Sequence, residues 1–205
     1  MVNIKTIKKS TEIKILEAAK EEFIIRGFDG ARMQHIAEKA EINKALLHYY
    51  FRSKENLFKA IFINAFKEFI PKIMLTFQSE ISFSEKIRLF INGYIDLLTK
   101  NPHLPVFIIN EMHRNPKLLP EIILSQGANP NLIIEIISKE FKKNNIKHIT
   151  PVHFIVNILS MCIFPFAASP IIKGVFFKQN EIKFNQFIKE RKKIVFEFVQ
   201  NALKK

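Results

Sequence analysis

Apolar residues recur every three or four positions along nearly the whole of this chain, and its 205 residues include only five glycines and nine prolines to interrupt them. That is the spacing of one face of an α-helix and not the alternation of a half-buried strand. The sequence therefore reads as all-α, with about nine helices in total. A hydrophobic content of 48%, with 25% charged residues, is that of a globular chain long enough to bury a real core.

Caps and breakers divide the pattern. Ser10 or Thr11 can start a first helix, lined on one face by Leu16, Ala19 and Phe23 and ended by Gly27. Met33, Ile36, Ala37 and Ala40 then stand at i, i+3, i+4 and i+7, one buried stripe on a two-turn helix. Glu41-Ile42-Asn43 turns the chain, and Asn43 can cap a third helix from Lys44 to Tyr50. Ser53 can cap a fourth, with Glu55 in its first turn, running to Phe77 with a kink at Pro71. Ser82-Phe83-Ser84-Glu85 is a capping-box pattern opening a helix that Asn101-Pro102 closes. Further helices are expected over 103–113, 117–126 and 130–143. Thr150-Pro151 starts another, and an amphipathic helix over 181–203 ends the chain.

Residues 10–53 thus form a three-helix unit whose last two helices share Ile36, Ala37, Ile42, Leu47 and Phe51, the arrangement of a helix-turn-helix. In that geometry the second helix lies in the major groove of DNA, its first residues toward the base edges. With Leu47 and Phe51 inward, Lys44, Ala45, His48 and Tyr49 remain outside. Lys44 can approach a phosphate or a guanine edge, and Ala45 lets the backbone come close. His48 and Tyr49 can hydrogen-bond phosphates, while Leu46 can touch a thymine methyl or join the core. Backbone N–H groups at the start of the fourth helix, with Lys54, offer a second phosphate site. The basic tail, Lys5, Lys8 and Lys9, can reach the minor groove or simply be a solvated end.

The stretch ILEAAKEEFIIRGFDGARMQHIAEKAEINKALLHYYFRSKENLF resembles the DNA-binding domain of the TetR family of transcriptional regulators. The matching elements are Ile15–Ala19, Gly27, Ile36-Ala37, Leu47–Phe51 and Ser53–Leu57. The likeness covers residues 10–60, and the remainder is similar only in length and helical character. It implies a DNA-binding domain over 1–53, a connecting helix from 54, and an effector-binding and dimerisation domain over 54–205. It also implies a non-enzymatic homodimeric repressor that holds a palindromic double-stranded operator and is released by a small apolar effector. The candidate DNA contacts are Arg32, Gln34, Asn43, Lys44, Ala45, Leu46, His48, Tyr49, Tyr50, Ser53 and Lys54. This sequence departs from the family pattern in three places. Ala31-Arg32 replaces the usual Ser or Thr cap of the second helix, making Arg32 a candidate phosphate contact. Glu41 stands where the turn usually has Gly, and Leu46 and His48 replace frequent Thr and Tyr. The operator sequence is therefore not transferable.

Twenty-one Phe and no Trp suggest an apolar effector cavity, with candidates Phe62, Phe66, Phe90, Tyr94, Phe107, Glu111, Met112, Phe154, Asn157 and Met161. Plain core is the commoner explanation of each of them. For a four-helix dimer interface, Val152, Ile155, Val156, Leu159, Ile163 and Phe166 are spaced as a seam, joined by Ile188, Val195 and Val199 on the last helix. Burial within one chain would account for the same residues.

The net charge of +13 invites a polyanion, but 26 of the 32 basic residues are Lys amid abundant Ile, Asn and Phe, as an AT-rich coding sequence also produces. Residues 1–60 carry only +4 of it. The single cysteine, Cys162, excludes an internal disulfide and a multi-cysteine metal cluster. His103 and His113, or His148 and His153, lack a ligand spacing on one helix, so neither metal nor cofactor is expected. No nucleophile–base set or glycine-rich phosphate loop points to an enzyme. The N-terminus is too polar for a signal peptide, and the uncharged run from Pro151 to Ile172 is interrupted by His153, Asn157 and Ser160. A cytoplasmic chain with no membrane partner is the expectation. Two rival readings remain: a small-molecule sensor or carrier with a degenerate DNA module, and a helical interaction protein.

Overall fold

The computed structural model describes residues 4–204, with side chains from Ser10 onward. The side chains of Lys5, Lys8 and Lys9 lie outside the described residues. In order the helices are α1 (Ile4–Gly30), α2 (Met33–Lys39), α3 (Lys44–Phe51), α4 (Lys54–Phe66), α5 (Phe69–Gln78) and α6 (Phe83–Lys100). They continue with α7 (Leu104–Arg114), α8 (Leu118–Ser125), α9 (Pro130–Lys143), α10 (Pro151–Ala167), α11 (Ser169–Phe177) and α12 (Glu181–Leu203). Two compact units emerge, Met1–Ala65 and Phe66–Lys205. The division falls at 65/66, so α4 is carried mainly by the first unit, where the sequence division was drawn at 53/54.

Three boundaries differ from the sequence expectation. α1 begins at Ile4 and not at Ser10 or Thr11, because no Pro or Gly breaks the segment before them and hydroxyl residues are tolerated inside a helix. The helix expected over 54–77 is two helices, and the break lies at Lys67-Glu68, not at Pro71. A proline ring clashes with the carbonyl four residues earlier, here that of Lys67, so the chain gives way upstream of the ring. The uncharged segment after Thr150 likewise breaks at Ala168, four residues after Phe164 and two before Pro170, and α10 and α11 are bent by 72°. No single described helix is long and apolar enough to cross a membrane, though this bent pair passes by length and composition alone.

In the first unit Ile15, Ala19 and Phe23 of α1 meet Ile36 and Ala37 of α2, Leu47 of α3 and Leu57 of α4 in a closed core. Phe23, Phe28 and Phe58 stack and cross edge to face at 4.9–5.9 Å between ring centres. In the second unit α6 is central, packing against α5, α10 and α12. Its Ile87, Ile91, Ile95 and Leu98 are fully buried, one stripe at 3–4-residue spacing. Side-chain caps hold the helix starts that the sequence marks: Ser82 accepts from Glu85 N–H, Asn129 from Leu132 N–H, and Thr150 from His153 N–H.

Candidate nucleic-acid interface

The site is built on the turn between α2 and α3. Ile42 N–H donates to Ala37 O at 3.0 Å and Glu41 N–H to Glu38 O at 3.0 Å. This pair of bonds is a Schellman motif, and it places Glu41 at φ 57°, in the left-handed region that favours glycine. Asn43 follows as an extended cap, its Oδ1 accepting from Leu46 N–H at 2.7 Å. Those two devices set the bend and start α3 in register.

Along α3, Leu47 and Phe51 are buried, whereas Lys44, Ala45 and His48 are exposed and Tyr49 is 66% exposed. Leu46 and Tyr50 are half-buried, and Tyr50 meets Tyr49 edge to face at 5.6 Å. The helix ends abruptly. Ser53 N–H donates to Phe51 O at 2.6 Å across Arg52, which sits at φ 59° and ψ −46°. That is a γ-turn of the rare positive-φ kind. His48 braces it, its Nδ1–H donating to Arg52 O at 2.9 Å. In the neutral ring this fixes the tautomer and leaves Nε2 an acceptor on the exposed side.

Ser53 caps α4 by accepting from Asn56 N–H at 3.2 Å. Lys54 is turned back toward the protein. Its Nζ donates to Asp29 O at 3.3 Å and Ala31 O at 3.2 Å, and lies 4.7 Å above the Phe28 ring. Two of its three donors are thus committed to holding the start of α4 against the α1–α2 junction. At that junction Arg32 is the extended cap of α2 without a side-chain cap bond, its own side chain exposed. Gln34 is exposed and bonds Glu38 at 2.8 Å. The sequence reading missed one support. Buried Glu22 of α1 takes Arg26 Nε at 3.1 Å and His35 Nδ1 at 3.2 Å, tying α1 to α2. The Glu22–Arg26 spacing of four was readable, but His35 thirteen residues on was not.

Residues 15–61 match the family described as "Bacterial regulatory proteins, tetR family". That segment is a TetR-type DNA-binding domain. Over 177 residues, 84% of this chain and 85% of its relative, it is 28% identical to the "Probable HTH-type transcriptional regulator YttP" of Bacillus subtilis (strain 168). Among solved structures, FadR of Bacillus subtilis in complex with stearoyl-CoA superposes with a TM-score of 0.67 at 18% identity, covering 91% of this chain and 96% of FadR. HlyIIR, a hemolysin II transcriptional regulator, gives 0.64 at 23% identity, covering 96% and 99%. At such identities the last two likenesses carry the fold. With this domain, and with a likeness to a transcriptional regulator along most of its length, the protein is a DNA-binding transcriptional regulator, and α2–α3 is its helix-turn-helix.

The other sequence candidates fall in different places. Phe62, Phe66, Tyr94, Phe107, Glu111 and Phe154 are buried, Phe90 and Met161 half-buried, and Met112 and Asn157 exposed. They are spread over α4, α6, α7 and α10. Glu111, 1% exposed, is held by Arg114 through two bonds of 2.9 Å. A small apolar void of about 50 Å³ does include Phe90 and Phe154, between α5, α6, α9 and α10. Of the interface candidates, Val152 and Val156 are exposed and Ile155, Leu159 and Ile163 half-buried. Phe166 of α10 is buried within the chain's own core, as are Ile188, Val195 and Val199, the stripe that α12 turns inward. What α12 leaves outside is the neighbouring stripe, with Ile194 49% and Phe198 64% exposed.

Proposed function

We propose that the protein is a homodimeric repressor that binds a palindromic operator through α3 and is released by a small apolar effector held in the second unit. The single observation that carries the DNA-reading part is the outer face of α3. Lys44, Ala45, His48 and Tyr49 project together while Leu47 and Phe51 anchor the helix beneath them. In this reading Lys44 meets a phosphate or guanine edge and Tyr49 a phosphate. The exposed Nε2 of His48 accepts from a base amino group. Arg32, Gln34, Tyr50 and the α4 start at Ser53 flank these contacts, and Lys54 positions α4 while offering its remaining donor.

A surface strip supports the dimer. His148 Nε2–H donates to Ala202 O and Arg191 Nη2 to Met161 O, both at 2.8 Å, so α12 runs antiparallel to α10, and each helix carries exposed apolar residues, Val152 and Val156 on α10 and Ile194 and Phe198 on α12. Two such strips related by a two-fold axis make a four-helix interface. The effector class is supported by the FadR likeness, whose structure holds stearoyl-CoA.

The test is operator selection from genomic fragments, followed by binding measurements with the Lys44→Ala, Tyr49→Ala double variant. The variant is expected to stay folded and dimeric, lose about 100-fold or more in operator affinity, and show a shallower salt dependence. Unchanged affinity for the selected operator would remove α3 as the reading surface. Wild-type protein enriching no palindrome would favour the sensor or carrier reading instead.

A further inference from the structure

Arg191 on α12 is a partly buried cation without a counter-ion. Its Nη2 donates to Met161 O at 2.8 Å, and its guanidinium lies 5.9 Å from the Phe187 ring centre. Its Nε is buried with no acceptor, and no carboxylate forms an ion pair with it among the described residues. A charge drawn out of water is costly unless paired and hydrogen-bonded.

The acidic group coupled to it, Cys162, does not supply the missing charge. Burial pushes the Cys162 thiol up to about 12 against the opposing pull of Arg191, so the thiol stays neutral at physiological pH.

The space in front of Arg191 says what kind of anion. A groove of about 680 Å³ opens between α10, α11 and α12, walled by Met161, Phe164, Ile172, Phe176, Phe177 and Phe187. Arg191 is the one charged residue in that lining. Ligand sites typically enclose about 300–1,000 Å³ of mostly apolar wall with a few placed polar groups. We propose that this groove binds an amphipathic monoanion, an aliphatic carboxylate whose head group pairs with the Arg191 guanidinium and whose chain lies against the phenylalanines. A planar guanidinium with a free Nε–H presents a fork suited to a carboxylate. The bend between α10 and α11 makes the groove, since it swings Ile172 and Phe176 away from the line of α10 and leaves Phe164 uncovered. This deepens the effector part of the proposed function, on which its link to DNA release rests; the binding itself does not.

The experiment is calorimetric titration of the full-length protein with decanoate below its micellar range and with decan-1-ol. Wild type is expected to bind decanoate about 10- to 100-fold more tightly than the alcohol, as removal of a charge-assisted hydrogen bond predicts. Arg191→Gln is expected to lose that margin and treat both ligands alike. Should Arg191→Gln fail to fold by circular dichroism, Phe176→Asp serves, since Phe176 is 74% exposed and its change should weaken both ligands. Equal affinity of wild type for acid and alcohol, or undiminished decanoate binding in Arg191→Gln, overturns the proposal. So does an absence of decanoate binding with only dimer dissociation shifted by Arg191→Gln, which would give the groove to a second copy of the chain. Operator binding in the same samples separates the two readings. Operator binding without decanoate binding removes the groove site alone, and decanoate binding without operator binding removes the repressor alone.

Discussion

Glu41 and Arg52 bracket α3, and both hold positive φ, at 57° and 59°, without being glycine. A side chain in the left-handed region costs about 1–2 kcal/mol, because Cβ crowds the following carbonyl. The Schellman bonds keep Glu41 there regardless, and its contact with Lys14 at 3.9 Å is too exposed to offset the strain. Glu41→Gly should therefore raise unfolding stability by about 1 kcal/mol, measured by urea denaturation, and leave the position of α3 intact. Equal or lower stability would mean that Glu41 makes a compensating interaction. The left-handed position at 41 was signalled in the sequence by the family resemblance, whose turn usually has Gly there. The γ-turn at Arg52 was not, because nothing in Phe-Arg-Ser distinguishes it from a helix running on to Ser53. Cys162 supports a second prediction at this scale. Its folded-state value, about 12, is raised above the ordinary 9.0, so the stability it contributes is complete below about pH 9 and is lost as pH rises toward 12. Wild type should lose stability more steeply than Cys162→Ala between about pH 8 and about pH 10.5. Native Cys162 should also react with iodoacetamide at least about 10-fold more slowly than in the unfolded chain.

Helix starts and helix breaks differ in how they are written. A cap acts on its own helix within three residues, so Asn43, Ser82, Asn129 and Thr150 announce α3, α6, α9 and α10 directly. A proline acts on a carbonyl four residues back, so Pro71 and Pro170 end helices at points that carry no signal of their own. That asymmetry is why the starts were legible and the splits of the 54–77 and 151–177 segments were not. The cap with functional weight is Asn43, because it starts the eight-residue α3. So short a helix has little propensity to fold alone and depends on its cap and its buried face. Asn43→Ala should cost about 1 kcal/mol in stability. It should weaken operator binding in proportion to the disorder of α3, whereas Asn43→Ser should restore both. Hydrogen exchange at Leu46 and Leu47 is the direct measurement. Protection unchanged in Asn43→Ala would show that packing of Leu47 and Phe51 alone sets the register.

Whole-molecule organisation rests on a stripe that the sequence located by period but not by face. Ile188, Val195 and Val199 have helical spacing, as do Ile194 and Phe198 beside them, and only packing against α6 and α10 decides which set turns inward. A hydrophobic period therefore predicts that a helix is buried, not by which chain. The same limit hid Arg191, whose missing partner is a fact about space and not about neighbours in sequence. With Val156 51% and Phe198 64% exposed, the outer strip of α10 and α12 is an apolar surface that water alone would cover poorly. Val156→Asp with Phe198→Asp places two charges on each copy of that strip, four across a two-fold interface. Like charges so placed should convert the proposed dimer to monomers in sedimentation velocity while circular dichroism stays unchanged. Affinity for a full palindrome should then fall about 10²- to 10⁴-fold, toward that of a half-site, because the second recognition helix no longer arrives at high effective concentration. Leu75→Asp on α5 is the control, since Leu75 is 68% exposed and lies off this strip, so it should leave both mass and affinity unchanged. A Val156→Asp, Phe198→Asp protein that remains dimeric would move the interface elsewhere on the second unit. A monomer with undiminished palindrome affinity would sever dimerisation from operator reading.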